Sequence, residues 1–192
     1  MMKQVCAAAL LSATALAALP SQAATVVVDA YANSSSGGVA VNAINLTAGQ
    51  AFSVSSSLDD LWSAGDLPRY SDANGLTYDR YATAADDSGQ PVGTHIGTNF
   101  GSWTQNGHTA AYGSLVGEIG GQYLTLGANY SGLAPASGTL HLYYWDSNYG
   151  DNSGHITFNV SAVPEPGMFV MLLAGLLVLA PIRRRAEAFK KD

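Results

Sequence analysis

Thr139-Leu140-His141-Leu142-Tyr143-Tyr144-Trp145, followed after residues 146–154 by His155-Ile156-Thr157-Phe158-Asn159-Val160, is the passage from which the fold is read. Side chains of a strand alternate between its two faces, so Leu140, Leu142 and Tyr144 share one face while His141, Tyr143 and Trp145 share the other. In the second run Ile156, Phe158 and Val160 turn toward a core. The same texture extends backward along the chain. Ser114-Leu115-Val116-Gly117-Glu118-Ile119 and Gln122-Tyr123-Leu124-Thr125-Leu126 flank Gly120-Gly121, and a shorter strand is expected over 100–103. Ala51-Phe52-Ser53-Val54-Ser55 follows a turn at 46–50, Val39, Val41 and Ala43 alternate with Ala40, Asn42 and Ile44, and Val26-Val27-Val28 opens the first strand. Residues 58–89 hold most of the aspartates and little apolar periodicity, which predicts long loops. No helical period and no whole repeat is visible between the two ends. Residues 24–162 are therefore expected to form one all-β domain, a β-sandwich or jelly roll.

Composition narrows the function. The chain has 192 residues and a formal net charge of -6, but its bases lie mostly at the ends. Between residues 24 and 163 only Arg69 and Arg80 stand against ten aspartates and Glu118. Such a surface repels nucleic acid and attracts cations. Cys6 is the only cysteine and lies in the leader, so no disulfide framework is available.

The ends carry targeting signals. Lys3, an apolar run over 5–19 and Ser21-Gln22-Ala23 make a secretory signal peptide, 1–23, to be cut by signal peptidase after Ala23. At the other end Ala162-Val163-Pro164-Glu165-Pro166 breaks the last strand, an apolar segment over about 167–182 reads as a transmembrane helix, and Arg183, Arg184 and Arg185 follow at once. The arginines are expected to stay cytoplasmic with residues 187–192, leaving the β domain outside. Pro164, Glu165 and Pro166, then the apolar run, then the arginine cluster resemble the PEP-CTERM sorting signal of Gram-negative bacteria, over 163–186. Its tail is also labelled as an ice-binding-protein C-terminal region. The resemblance implies a single-pass precursor, processing by an exosortase, and delivery to the cell surface or an exopolysaccharide matrix.

Asp146-Ser147-Asn148-Tyr149-Gly150-Asp151-Asn152-Ser153-Gly154 joins the two strands quoted first. It gathers two carboxylates, two carboxamides and several carbonyls, the oxygen-rich chemistry that a hard cation such as calcium requires. Two close carboxylates repel by about 1 kcal/mol in water unless a cation lies between them. The same residue types are also turn formers that bond their own backbone, so the residues alone leave both readings open. The spacing is not that of an EF-hand.

Together with Leu115-Val116-Gly117-Glu118-Ile119-Gly120 and Leu140-His141-Leu142-Tyr143-Tyr144-Trp145-Asp146, this loop is similar to the calcium-dependent galactophilic lectins of the LecA type, jelly-roll sandwiches of the galactose-binding-like class. The resemblance implies a calcium ion, Ca²⁺, held by Asp146, by the Asn148 carbonyl, by Asp151 and Asn152, and by an earlier carbonyl near Ala64 or Gly65. The sugar binds the same ion, so Asp146 and Asp151 are implied in ligand binding too. Asp151 stands where the family has an amide, the loop is two residues shorter, and the side chains with which the lectins read galactose are not recognisable. Tyr78 and Tyr81 lie nearest to those positions.

Other constellations offer less. Asp72-Ala73-Asn74-Gly75 fits an Asx turn better than a second cation site, Asp59-Asp60 and Asp86-Asp87 fit solvated loops better than glycosidase acids, and the histidines lack metal-ligand spacing. The expectation is an exported, non-catalytic cell-surface sandwich that binds calcium and an extracellular polysaccharide. The alternative is a matrix or adhesion protein in which calcium is only structural or absent.

Overall fold

The computed structural model describes residues 22–163. Within them the chain forms β1 (Gln22–Asp29), β2 (Val41–Leu46), β3 (Ala51–Ser55), β4 (Trp62–Ser63), β5 (Tyr70–Ser71), β6 (Arg80–Tyr81) and β7 (His95–Gly97). There follow β8 (Ser102–Gln105), β9 (His108–Ala111), β10 (Ser114–Ile119), β11 (Gln122–Thr125), β12 (Asn129–Leu133), β13 (Gly138–Trp145) and β14 (Ser153–Ala162). A single 3-10 turn, Tyr149–Asp151, interrupts the β13–β14 connection. The domain is all-β, as the alternating pattern requires.

Two sheets face each other. The first runs β12-β3-β14-β4-β5 with β1 added along β14; the second runs β11-β10-β13-β2. The inward faces of β13 and β14 are those read from the sequence: Leu140, Leu142, Tyr144, Ile156, Phe158 and Val160 are all buried. Val28, Phe52 and Val54 join them from the first sheet, and Ile44, Leu46, Leu115 and Ile119 from the second, making one apolar core between the layers of a sandwich. Trp62 ties the layers together. Its ring meets Tyr144 edge-on at 4.7 Å and Phe158 at 5.9 Å, and its indole N–H donates to the Gly113 carbonyl at 2.7 Å.

The turns follow from backbone chemistry. The β8–β9 hairpin closes on Asn106-Gly107, with φ of 51° and 78°, and the β10–β11 hairpin on Gly120-Gly121, with φ of 58° and 84°. Both are two-residue loops with positive φ at each position, the twist that matches paired strands. The first of these hairpins covers the outer face of the second sheet, where Ala110, Val116 and Trp145 form a small separate core with Trp103 and Tyr123.

Three differences from the sequence reading stand out. The strand expected over 100–103 begins at Ser102 and runs to Gln105, while Phe100 lies outside it against Tyr112 at 5.3 Å. Residues 58–89 are largely irregular, yet two-residue strands β4, β5 and β6 punctuate them. β1 starts at Gln22, so Gln22 and Ala23, read as the end of the leader, pair with Ala162 and Ser161. The rest of the signal peptide, Pro164, Glu165, Pro166, the span over 167–182, Arg183, Arg184, Arg185 and the tail lie outside the described residues. No helix among the described residues is long and apolar enough to cross a membrane.

Candidate functional site

The period that buries Leu142 and Tyr144 also carries the next inward position, Asp146, into the domain, where only 4% of it is exposed. Its backbone is clamped by Ser35: the Asp146 N–H donates to Ser35 Oγ at 3.2 Å and the Ser35 hydroxyl donates to the Asp146 carbonyl at 3.0 Å. The carboxylate accepts the Ser147 N–H at 2.6 Å. Asn148 then caps the 3-10 turn, its Oδ1 accepting from Gly150 N at 3.2 Å and its Nδ2 donating to Asp151 Oδ1 at 2.9 Å.

β14 starts by pairing Ser153 with Ser63 and Gly154 with Trp62, which draws the segment after β4 against the loop. Gly65 faces Asp151 so closely that a Cβ on it would lie 2.7 Å from Asp151 Oδ2, and its φ of 121° also demands glycine. The Arg69 Nη1 donates to the Ala64 carbonyl at 3.3 Å and to Asp151 Oδ2 at 3.4 Å, and the guanidinium lies 4.7 Å above the Phe100 ring. The Ala64–Gly65 region therefore lies beside Asp151, where an early-loop carbonyl was expected.

Burial pushes the Asp146 carboxyl above the usual carboxylate range; the N–H groups of Ser147 and Asn148 and the Asn152 side chain oppose the rise, and the nearby Asp151 charge adds to it. Asn152 is the most informative member. It is 6% exposed, and its Nδ2 donates to the Ala30 carbonyl at 3.1 Å, an acceptor that fixes which end of the carboxamide is oxygen. The oxygen, Oδ1, is sealed from solvent and has no donor. A buried acceptor left so costs about 1–3 kcal/mol, and few survive in native proteins without water or an ion.

Asp146 and Asn152 thus converge as buried neighbours, and Asn148 and Asp151 are joined to each other at the rim. Among the described residues no cluster of three or more His, Cys, Asp or Glu side chains is arranged to hold a metal. A cation at this loop would rely on amide and carbonyl oxygens beside the two carboxylates, the donor set of calcium rather than of a transition metal. The orphaned oxygen of Asn152, whose side chain neighbours the buried Asp146 carboxyl, fits that ion.

Tyr78 and Tyr81 are engaged elsewhere. The Tyr78 hydroxyl donates to Asp72 Oδ2 at 3.2 Å and accepts from Arg80 Nη2 at 3.0 Å, whereas the Tyr81 ring lies tilted against His95 at 5.1 Å. Asp72 itself is buried, holds the Asn74 N–H at 2.7 Å in an Asx turn, and is neutralised by Arg80 Nη2 at 2.5 Å. Asp60 and Asp87 accept backbone N–H groups from Thr157 at 2.9 Å and Leu61 at 2.8 Å. Sequence reasoning missed Ser35 and Arg69. The scarcity of arginines in an acidic domain was a signal for Arg69, but nothing in the sequence marks Ser35.

No family model matches the chain and no curated protein matches it. Among solved structures the chain is similar to one described as "EclA N-terminal domain; PllA-like lectin", at 22% identity and a TM-score of 0.46, over 72% of this chain and 94% of that chain.

Proposed function

We propose that this chain is an exported, non-catalytic β-sandwich of jelly-roll, galactose-binding-like type whose β13–β14 loop binds calcium and, through it, sugar hydroxyls of an extracellular polysaccharide. The observation that carries the reading is the Asn152 Oδ1, buried and donorless on a side chain that neighbours the buried Asp146 carboxyl. Asp146, Asp151 and Asn152 supply side-chain oxygens, with carbonyls from Asn148 and from Ala64 or Gly65. Bound calcium supplies open coordination positions for vicinal hydroxyls. The protein's own part is to hold its oxygens in place: Ser35 grips the Asp146 backbone, Ala30 orients Asn152, and Asn148 aims Asp151. The acidic composition between residues 24 and 163 favours a cation at the loop. The two ends support export by signal peptidase cleavage and sorting by an exosortase, through a single-pass membrane precursor, to the cell surface or matrix.

One observation favours a second reading. Arg69 already stands against Asp151, closing the loop with a protein cation, as in a matrix or adhesion protein whose calcium is structural or absent. Calcium titration with thermal melting, followed by a glycan array with and without chelator, separates the two. The lectin reading expects calcium at about one hundred times its Kd to add about 2.7 kcal/mol of stability, Asn152→Ala to lose that increment, and glycan binding to vanish with chelator. Calcium-dependent melting without glycan binding supports the structural role, and a melting curve indifferent to calcium removes both calcium readings.

A further inference from the structure

We propose that the cleft between the β8–β9 hairpin and the outer face of the second sheet is a second saccharide site, taking one neutral pyranose ring without a metal. The cleft encloses about 210 Å³ and is lined by Ser35, Gln105, Asn106, Tyr123, Tyr143 and Trp145, among others. That is below the roughly 300–1,000 Å³ of pockets for drug-sized ligands, so its occupant is a single small ring or the end of a chain.

The lining selects the chemistry. The Tyr123 ring centroid lies 6.4 Å from that of Tyr143 and 5.9 Å from that of Trp145, so the two half-buried tyrosine rings, backed by the buried indole, form one wall of the cleft. The wall is firm, because the Trp145 indole N–H donates to the Trp103 carbonyl at 2.9 Å. Such a wall offers an apolar surface to the C–H face of a sugar.

Polar groups stand around it. Gln105 Nε2 donates to the Ser35 carbonyl at 2.9 Å, which fixes the amide and leaves Gln105 Oε1 buried with no donor. Two residues away on the same hairpin the Trp103 indole N–H is buried with no acceptor. The hairpin therefore carries an orphaned acceptor at the cleft, Gln105 Oε1, and an orphaned donor two residues away that does not line it; a buried acceptor left so costs stability unless a partner arrives. Asn106 Nδ2 donates to the Tyr123 hydroxyl at 2.9 Å, so Asn106 Oδ1 and the Tyr123 O–H remain free to accept and donate. Hydroxyls that both donate and accept match this mixture, and a small rotation of the Gln105 carboxamide turns its oxygen to them. The named lining holds no Lys or Arg, and the Glu118 charge reaches the Tyr143 phenol, so an anionic sugar is disfavoured. Ser35, which also grips Asp146, puts this cleft next to the β13–β14 loop, but nothing in the cleft depends on calcium.

The test uses the purified full chain and saturation-transfer NMR with methyl glycosides of galactose, glucose and mannose, each with calcium and with excess EGTA. The expected result is transfer from at least one glycoside in EGTA, reduced about tenfold by Gln105→Leu. Asn106→Gly preserves the left-handed turn, so it keeps the melting temperature and is expected to weaken the same signal several-fold. If no glycoside shows transfer in EGTA, or if both hairpin variants bind as the parent does, the site is overturned. Transfer seen with calcium and abolished by EGTA locates the sugar at the β13–β14 loop, which upholds the lectin reading and sinks this one.

Discussion

Arg69 Nη1 lies 3.4 Å from Asp151 Oδ2, so one of the two arginines between residues 24 and 163 occupies the carboxylate that a calcium ion would claim. The side chains are 36% and 43% exposed, and an ion pair so screened is worth about 0.2–1 kcal/mol. Arg69→Gln frees Asp151 and removes a repelling charge. Calorimetric titration is expected to show calcium binding about two- to fivefold more tightly in that variant. Unchanged or weaker affinity would mean that Asp151 is not a ligand.

Gly65 is the other neighbour of Asp151. An alanine there takes on a left-handed φ and sets its Cβ 2.7 Å from Asp151 Oδ2. Gly65→Ala is expected to cost about 1–3 kcal/mol without calcium, visible as a drop of several degrees in melting temperature, and to weaken calcium binding as well. A variant that melts with the parent would show that the loop yields freely.

The Tyr144 hydroxyl lies deep in the core with no partner, and burial, then Asp146 and Asp151, hold its pKa well above the usual phenol value. Removing a donor that bonds to nothing relieves a desolvation cost and leaves the ring packing against Trp62 intact. Tyr144→Phe should therefore melt at or above the parent's temperature. A loss of more than about 1 kcal/mol would reveal a bonded hydroxyl, through buried water for example.

His108 packs edge-on to Trp145 at 5.5 Å and beside Tyr123 at 6.1 Å, with Nε2 3.0 Å from Thr125 Oγ1. Burial lowers its pKa from 6.5. The unfolded chain therefore takes up the proton first, so the stability supplied by neutral His108 is complete above pH 6.5 and drains away as pH falls through that value toward the folded pKa. Melting followed across this range should slope downward on acidification in the parent and more gently in His108→Gln. Equal slopes would clear His108 of any role.

Most of the sandwich was legible because its strands carry their own signal. β3 and β10 have the bounds read from the sequence, since alternation and flanking glycines mark both. β12 was missed because Asn129–Leu133 is an edge strand with little burial and a weak apolar pattern, held in place by β3. β4 and β5 are two residues each, too short for any period to register. The β9 half of the Asn106-Gly107 hairpin was missed despite the strongest short-range turn signal in that region. At the candidate site the contiguous loop was readable and its distant supports were not: Ser35 and Arg69 stand 111 and 82 residues from the groups they hold. Contacts of that span leave no periodic trace in sequence.

β14 pairs with β1 along one edge and with β3 and β4 along the other. The strand at the heart of the first sheet is thus the last of the described strands that the ribosome makes. Until it emerges, β1 lacks its neighbour, β3 and β4 have no strand between them and β1, and the core lacks Ile156, Phe158, Val160 and Ala162. The domain must wait for its own carboxyl end before it can close, and a nascent chain halted short of Ser153 is expected to remain a substrate for chaperones and proteases rather than a smaller version of the same fold.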